Sequence, residues 1–404
     1  MSLFSDARTL VAVFRRAITG RRARKSWADY DGTRAPLPSD HFTAAIYFAD
    51  APVNLYQIQQ WYEPMHELAK TQPVAVIARN VVTANILRAE CPLPVVLLPY
   101  IADVEQWIDR QRIGAVFYLN QNSRNFQMMR FRNPNHVFLS HGESDKDYMA
   151  SNQLKAYDYT FIAGQAAADR LAQRILAFDV EARTRRIGRP QVDVHQQGPA
   201  LQDDGREVVL YAPTWEGDRP SMTYSSVRSH GPELLQPLLS SRRHRVIYRP
   251  HPRTGISDPA FASAHEKLVS LIERANAADP AAFHLVDTTT AFGWHLDAAD
   301  ACIADISAVA FDWLATGKPL LLTEPASAEA EVDMNGIAGT LPMLSAADAS
   351  SVVAALVDAE SRDRVDARQA LMERYFGVTR RGASMASWLK AAEAVIDERS
   401  LGVT

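Results

Sequence analysis

Cysteine is nearly absent: Cys91 and Cys302 are the only two among 404 residues, which excludes a disulfide framework and a four-cysteine zinc site. Long apolar runs are missing too. No stretch approaches the roughly 18–20 consecutive apolar residues of a spanning helix, and the start shows neither a continuous apolar core nor a cleavage site of signal-peptide type. A cytoplasmic protein is expected. There is no glycine-rich phosphate loop, no G-x-G-x-x-G, no Walker lysine, no G-x-S-x-G elbow and no His/Cys/Asp set at metal-ligand spacing. No metal and no organic cofactor is expected. Lysine is scarce, seven residues against thirty-six arginines, and carries no functional message by itself. What is present is ordinary for a soluble globular chain: 47% hydrophobic, 22% charged and 9% aromatic residues, with a length that suggests two domains.

The net charge of −4 conceals a segregation. Residues 1–25 carry Arg8, Arg15, Arg16, Arg21, Arg22, Arg24 and Lys25 against Asp6, a balance of +6 that leaves −10 on the remainder. Within residues 2–20, Leu3, Phe4, Ala7, Leu10, Val11, Phe14 and Ile18 recur at helical spacing, with Arg8, Arg15 and Arg16 off that stripe. Residues 1–27 therefore read as a basic amphipathic segment. It could lie on an anionic membrane surface through residues 2–25, each basic residue contributing about 1 kcal/mol. An ordinary first helix with a solvated basic tail is the alternative. The acidic body argues against nucleic acid, which requires a basic face on the folded domain.

From residue 43 onward, short apolar runs alternate with amphipathic stretches. Residues 44–49, 74–78, 95–98, 115–119, 136–140 and 159–163 predict buried parallel strands, with helices between them at 55–70 and 102–112. Residues 187–206 are polar and aperiodic and read as a linker. Strands resume at 207–213, 245–250, 283–287, 301–305 and 319–324, with helices at 231–241, 257–276, 307–316, 346–359, 363–375 and 383–398. The alternation predicts an α/β architecture of two doubly wound Rossmann-like domains, 40–190 and 206–380, facing across a cleft, with a closing helix at 381–404. The ligand pocket is expected between them.

Four segments place reactive side chains at strand ends. In HVFLSHGESDKD (136–147), His141 follows a strand and precedes Gly142, with Glu143, Asp145, Lys146 and Asp147 beside it. Histidine suits proton transfer near neutrality; a structural hydrogen-bonding role is the bland reading. In VVLYAPTWEGD (208–218), Thr214 offers a hydroxyl and Trp215 either packs or lines a site. In VIYRPHPRTG (246–255), Arg249, His251 and Arg253 alternate between Pro250 and Pro252, whose fixed φ holds the segment extended, an arrangement suited to a phosphate or pyrophosphate. In ACIADISAVAFDW (301–313), Asp305 ends a strand and Ser307 opens an apolar helix, where free backbone N–H groups make an anion site and simple capping is the alternative.

Together and in this order, the four segments resemble the CDP-glycerol glycerophosphotransferase family, the teichoic-acid primases and polymerases. The family's strand followed by His-Gly corresponds to His141-Gly142, and its loop lysine to Lys146. Its Tyr-Ala-Pro-Thr-Trp segment matches Tyr211 to Trp215, and its Arg-x-His-Pro clamp matches Arg249 to Pro252. Its Asp-x-Ser-Ser loop with a following Phe-Asp corresponds to Asp305, Ser307, Phe311 and Asp312, with Ala308 in place of the second serine. Glu143-Ser144 stand where the family usually has Thr-Pro.

The resemblance spans about residues 136–325 and implies a GT-B fold, a cytidine-diphosphate alditol donor, a membrane-linked glycan or polymer acceptor, and peripheral attachment to the inner membrane face. It implies catalytic roles for His141 and His251. Donor contacts would come from Arg249, Thr214, Asp305, Ser307, Ala308, Val309 and Asp312, the last toward the ribose; Lys146 and Glu143 would serve the acceptor or its loop. The expected reaction moves an alditol phosphate to an acceptor hydroxyl and releases CMP. A GT-B nucleotide-sugar glycosyltransferase, releasing a nucleoside diphosphate, is the alternative. A non-catalytic partner of an envelope assembly would instead leave His141 and His251 silent to substitution.

Overall fold

The computed structural model describes residues 18–145, 147–194, 196–289 and 293–400. By compactness the chain divides into two units. The first comprises residues 1–141, 153–161 and 389–404, and the second comprises 142–152 and 162–388.

The first sheet is built from runs that bury both faces. Strand β1 (Ala44–Phe48) and β2 (Val74–Ala78) hold only buried side chains, as a parallel sheet covered on both sides requires. With β3 (Val95–Leu97), β4 (Ala115–Tyr118), β5 (Asn135–Phe138), β6 (Tyr159–Ile162) and β7 (Thr184–Arg186) they form the order β3-β2-β1-β4-β5-β6-β7. Ile46 sits between Val76 and Phe117 in parallel register.

The second sheet contains β8 (Glu207–Ala212), β9 (His244–Tyr248), β10 (Leu285–Val286), β11 (Ala301–Ala304), β12 (Leu320–Thr323) and β13 (Met343–Leu344), in the order β10-β9-β8-β11-β12-β13, all parallel. Period-two alternation divides its side chains between two cores. Leu210, Ile247, Cys302, Ala304 and Leu322 pack with the helices Ala308–Leu314 and Arg362–Phe376. Val209, Tyr211, Val246, Tyr248 and Ile303 pack with the helices Gly231–Ser240, Pro259–Ala278 and Val352–Ala359. The sheet is doubly wound, as the alternation predicts.

Two expectations change. Residues 55–70 form two helices, Leu55–Gln59 and Tyr62–Leu68, rather than one. Pro64 has no N–H to give the carbonyl of Gln60, and its ring crowds that carbonyl, so the helix restarts at Trp61. The basic run after Gly20 is no tail: residues 18–31 are helical, with Trp27 buried. Most of the amphipathic stretch expected at 2–20 lies outside the described residues. The closing helix is present as Ala383–Ser400. From Leu389 on it belongs to the first unit, where Asn135 Nδ2 donates to the Val395 carbonyl at 2.8 Å. A Cβ on Gly114 would meet the Ile396 carbonyl oxygen at 2.3 Å, so only glycine admits the helix there. Residues 187–206, read as the linker, carry no strand among the described residues, although the compactness boundary falls earlier, at Ile162.

Candidate active site

In the second sheet the chain winds from β8 out to β10 and then returns to β11 on the other side of β8. Ligands of open parallel sheets bind beyond the carboxyl ends of the strands at such a reversal. Thr214 and Trp215 follow β8, and Asp305 and Ser307 follow β11, so two of the four segments meet at this point.

Asp305 holds the point together rather than facing a ligand. It is fully buried, and its carboxylate accepts from the Thr214 N–H at 2.7 Å, the Ser226 N–H at 3.2 Å and the Thr323 hydroxyl. Burial pushes its carboxyl pKa up, against the pull of these hydrogen bonds. A donor contact from Asp305 is therefore replaced by a scaffolding role: it ties the ends of β8, β11 and β12. The Thr214 backbone is engaged on both sides, since its carbonyl accepts from Ser225 Oγ at 2.8 Å.

Ser307 occupies the N-cap position of Ala308–Leu314 with an extended backbone, yet its side chain makes no capping bond. Its Oγ is buried without a hydrogen-bond partner among the described residues. Ala308 and Val309, half-buried, supply the first N–H groups of that helix, which no intrahelical carbonyl satisfies. Asp312 departs from its expected role toward a ribose. It is 2% exposed, and Arg189 holds both its oxygens, at 2.5 and 3.3 Å.

The clamp segment splits into a buried half and an accessible half. Arg249 is buried and pairs with Asp287 at the end of β10. Asp287 also accepts from His295 Nε2 at 2.7 Å, from the Thr289 N–H at 2.9 Å and from Thr289 Oγ1 at 2.6 Å. Burial opposes the Asp287 charge, but the His295 and Thr289 hydrogen bonds and the Arg249 guanidinium outweigh it and hold the carboxyl well below its usual range. Burial also depresses the Arg249 pKa and pushes His295 down to about 4, so His295 is neutral and donates from Nε2. Neither Asp287 nor His295 figured among the expected site residues; an acid ending a strand of the same sheet was the available signal.

His251 and Arg253 are half-buried. The Arg253 N–H donates to His251 Nδ1 at 3.1 Å, which leaves Nε2 as the protonated nitrogen of the neutral ring. The Trp215 ring stacks with His251 at 6.3 Å between centroids and lies 3.7 Å from the Arg253 guanidinium carbon. Glu216 fixes this loop: its carboxylate accepts from the N–H groups of Gly255, Ser257 and Asp258 at 2.9, 2.8 and 3.1 Å. Gly255 adopts φ +77°, which favours glycine.

At the end of β5 the chain turns sharply. Ser140 has φ +60°, an unusual conformation for a residue with a side chain, and its carbonyl accepts from Trp61 Nε1 at 2.8 Å. His141 follows, half-buried and edge-on to the Tyr56 ring at 5.8 Å. Gly142, the next residue, lies against Ala308: a Cβ there would come within 2.7 Å of the Ala308 Cβ. Glu143 and Asp145 do not form an open charged loop. Both are buried on Arg170, at 2.9 and 2.8 Å, and Asp145 also accepts from the Ile337 N–H and the Tyr375 hydroxyl. A direct acceptor contact from Glu143 is thus replaced by an internal ion pair. Lys146 lies outside the described residues.

The family model of CDP-glycerol:poly(glycerophosphate) glycerophosphotransferases matches residues 135–332, which take in every segment just described. Over these residues the chain is similar to the CDP-glycerol glycerophosphotransferases. No curated protein sequence matches it. Among solved structures, the wall teichoic acid polymerase TagF is similar at 14% identity and a TM-score of 0.56, over 98% of this chain and 99% of that chain. A putative UDP-N-acetylglucosamine 2-epimerase from Listeria monocytogenes is similar at 13% identity and a TM-score of 0.57, over 88% of this chain and 96% of that one. At these identities the likeness is one of fold, and the fold is GT-B-like.

Proposed function

We propose that the enzyme transfers an alditol phosphate, glycerol phosphate or ribitol phosphate, from a CDP-alditol to a hydroxyl of a membrane-linked glycan or polymer in teichoic-acid-like synthesis. The acceptor oxygen attacks the β-phosphorus, a new P–O bond forms, the bond to the α-phosphate breaks, and CMP leaves. His141 takes the hydroxyl proton, a role that typically contributes about 10²–10⁴-fold. The observation that carries the reading is the switch point of the second sheet. There the buried Ser307 hydroxyl and the unsatisfied N–H groups at Ala308 and Val309 stand ready for phosphate oxygens. His251 and Arg253 add donors beside Trp215. Arg249, its charge balanced by Asp287, orders the same strand end from within.

Attachment to an anionic membrane belongs to the same proposal. Arg22 and Lys25, both from the basic segment 2–25, line an open surface depression of about 630 Å³ together with Arg88, Ser26, Asp29, Tyr30 and Thr33. Among the described residues no helix is long and apolar enough to cross a membrane.

His141→Ala should abolish CMP release while CDP-alditol affinity, read by calorimetry, stays close to that of the parent. A loss of affinity as large as the loss of rate would remove His141 from the role of base.

A further inference from the structure

The first sheet has a switch point of its own. From β1 the chain winds out through β2 to β3, then returns to β4 on the other side of β1. Just beyond β1 stands Asp50; just beyond β4 stand Asn120 and Asn122; all three are half-buried. Asp50 Oδ2 accepts from Asn120 Nδ2 and from Asn122 Nδ2, each at 2.9 Å, and Oδ1 accepts from Asn54 Nδ2 at 2.7 Å. Arg79, just past β2, is 8% exposed; it donates to the Tyr47 hydroxyl and the Pro99 carbonyl, and its Nε is buried without a hydrogen-bond partner among the described residues.

A file of contacts leads from this cluster to His141. Asn120 Nδ2 donates to Gln57 Oε1 at 2.7 Å, Gln57 Nε2 donates to the Tyr56 hydroxyl at 3.2 Å, and the Tyr56 ring meets the His141 imidazole edge-on.

We propose that Asp50, Asn120, Asn122 and Arg79 form the subsite that recognises the polyol hydroxyls of the acceptor and presents one of them to His141. A carboxylate and carboxamides offer directional acceptors and donors, and a diol, whose hydroxyls both donate and accept, matches them. A phosphate offers only acceptors and would meet the negative charge of Asp50, so the phosphate-bearing donor is directed to the other sheet. The identity of the polyol as acceptor rests on the transferase reading; the polyol site itself does not.

The test is direct binding, without donor, to the full chain. The probes are a synthetic glycerol phosphate trimer and the same trimer with its terminal hydroxyls methylated, read by saturation-transfer NMR and calorimetry. Asp50→Asn and Asn122→Ala should each weaken trimer binding about tenfold, the loss of one or two net hydrogen bonds, with CDP-glycerol affinity unchanged. The methylated trimer should bind the parent protein as weakly as the free trimer binds the variants. Equal binding of both trimers, no binding by the parent, unaffected variants, or an equal loss of CDP-glycerol affinity would each overturn the proposal. Should the parent bind the trimer through its hydroxyls yet transfer nothing from any CDP-alditol, the transferase reading fails and the polyol site stands.

Discussion

Gly142 and Ala308 are in contact so close that a Cβ on residue 142 would lie 2.7 Å from the Ala308 methyl carbon. The contact joins the residue after His141 to the start of the helix that Ser307 opens. Glycine at 142 is therefore a packing requirement, because the backbone there has no room for a side chain.

Gly142→Ala should destabilise the protein by about 1–3 kcal/mol, the usual effect of overpacking, and lower the transfer rate more than tenfold by displacing the turn at His141. Ala308→Gly in the same chain makes room for the added methyl and should restore much of both losses. Thermal unfolding and initial rates on the single and double variants check this. A single variant with parental rate and stability would show that the contact sets nothing.

The Arg249–Asp287–His295 group predicts strong non-additivity. Removing Asp287 alone leaves a buried guanidinium without its counter-charge, so Asp287→Ala should cost about 3–5 kcal/mol in urea unfolding. Arg249→Met combined with Asp287→Leu removes both charges and should be less destabilised than Asp287→Ala. Additive losses in the cycle would mean the pair is uncoupled.

How much of this was legible in the sequence follows from what each feature depends on. Apolar runs report burial locally, so the central strands of both sheets and the switch-point segments were readable from residues 44–48 or 207–212 alone. Strand β7, Thr-Arg-Arg, and the two-residue β13 carry no such run and leave no local trace in the sequence. Reactive residues at strand ends were readable by type, but their partners were not. Whether Arg249 faces a phosphate or a carboxylate depends on Asp287, 38 residues on, and Asp312 is taken by Arg189, 123 residues away. Asp50 carries no signal in the sequence, being a lone carboxylate after a strand until β4 brings Asn120 and Asn122 beside it.

Stability should depend on pH through two buried histidines. Burial, foremost, pushes His295 and His284 down from 6.5 to about 4, with Arg249 adding for the first and Arg206 and Arg245 for the second. Between these values the unfolded chain binds more protons than the folded one, so stability is present above about pH 6.5 and is lost as pH falls toward about 4. The upper limit is on the order of 3 kcal/mol for each. Urea unfolding at pH 7 and pH 5 reads the difference, and His295→Gln should reduce it, leaving the share of His284. Equal stability at both values would contradict the assignment of neutral buried imidazoles.

The most direct test is the product. The protein should be incubated with CDP-glycerol, CDP-ribitol and common nucleotide sugars, together with a synthetic lipid-linked acceptor, and the products weighed by mass spectrometry with His141→Ala as control. The expected products are CMP and an acceptor heavier by one alditol phosphate, both lost in the variant. A nucleoside diphosphate with a hexose or pentose added to the acceptor, or transfer that persists without His141, would contradict the proposed phosphotransfer.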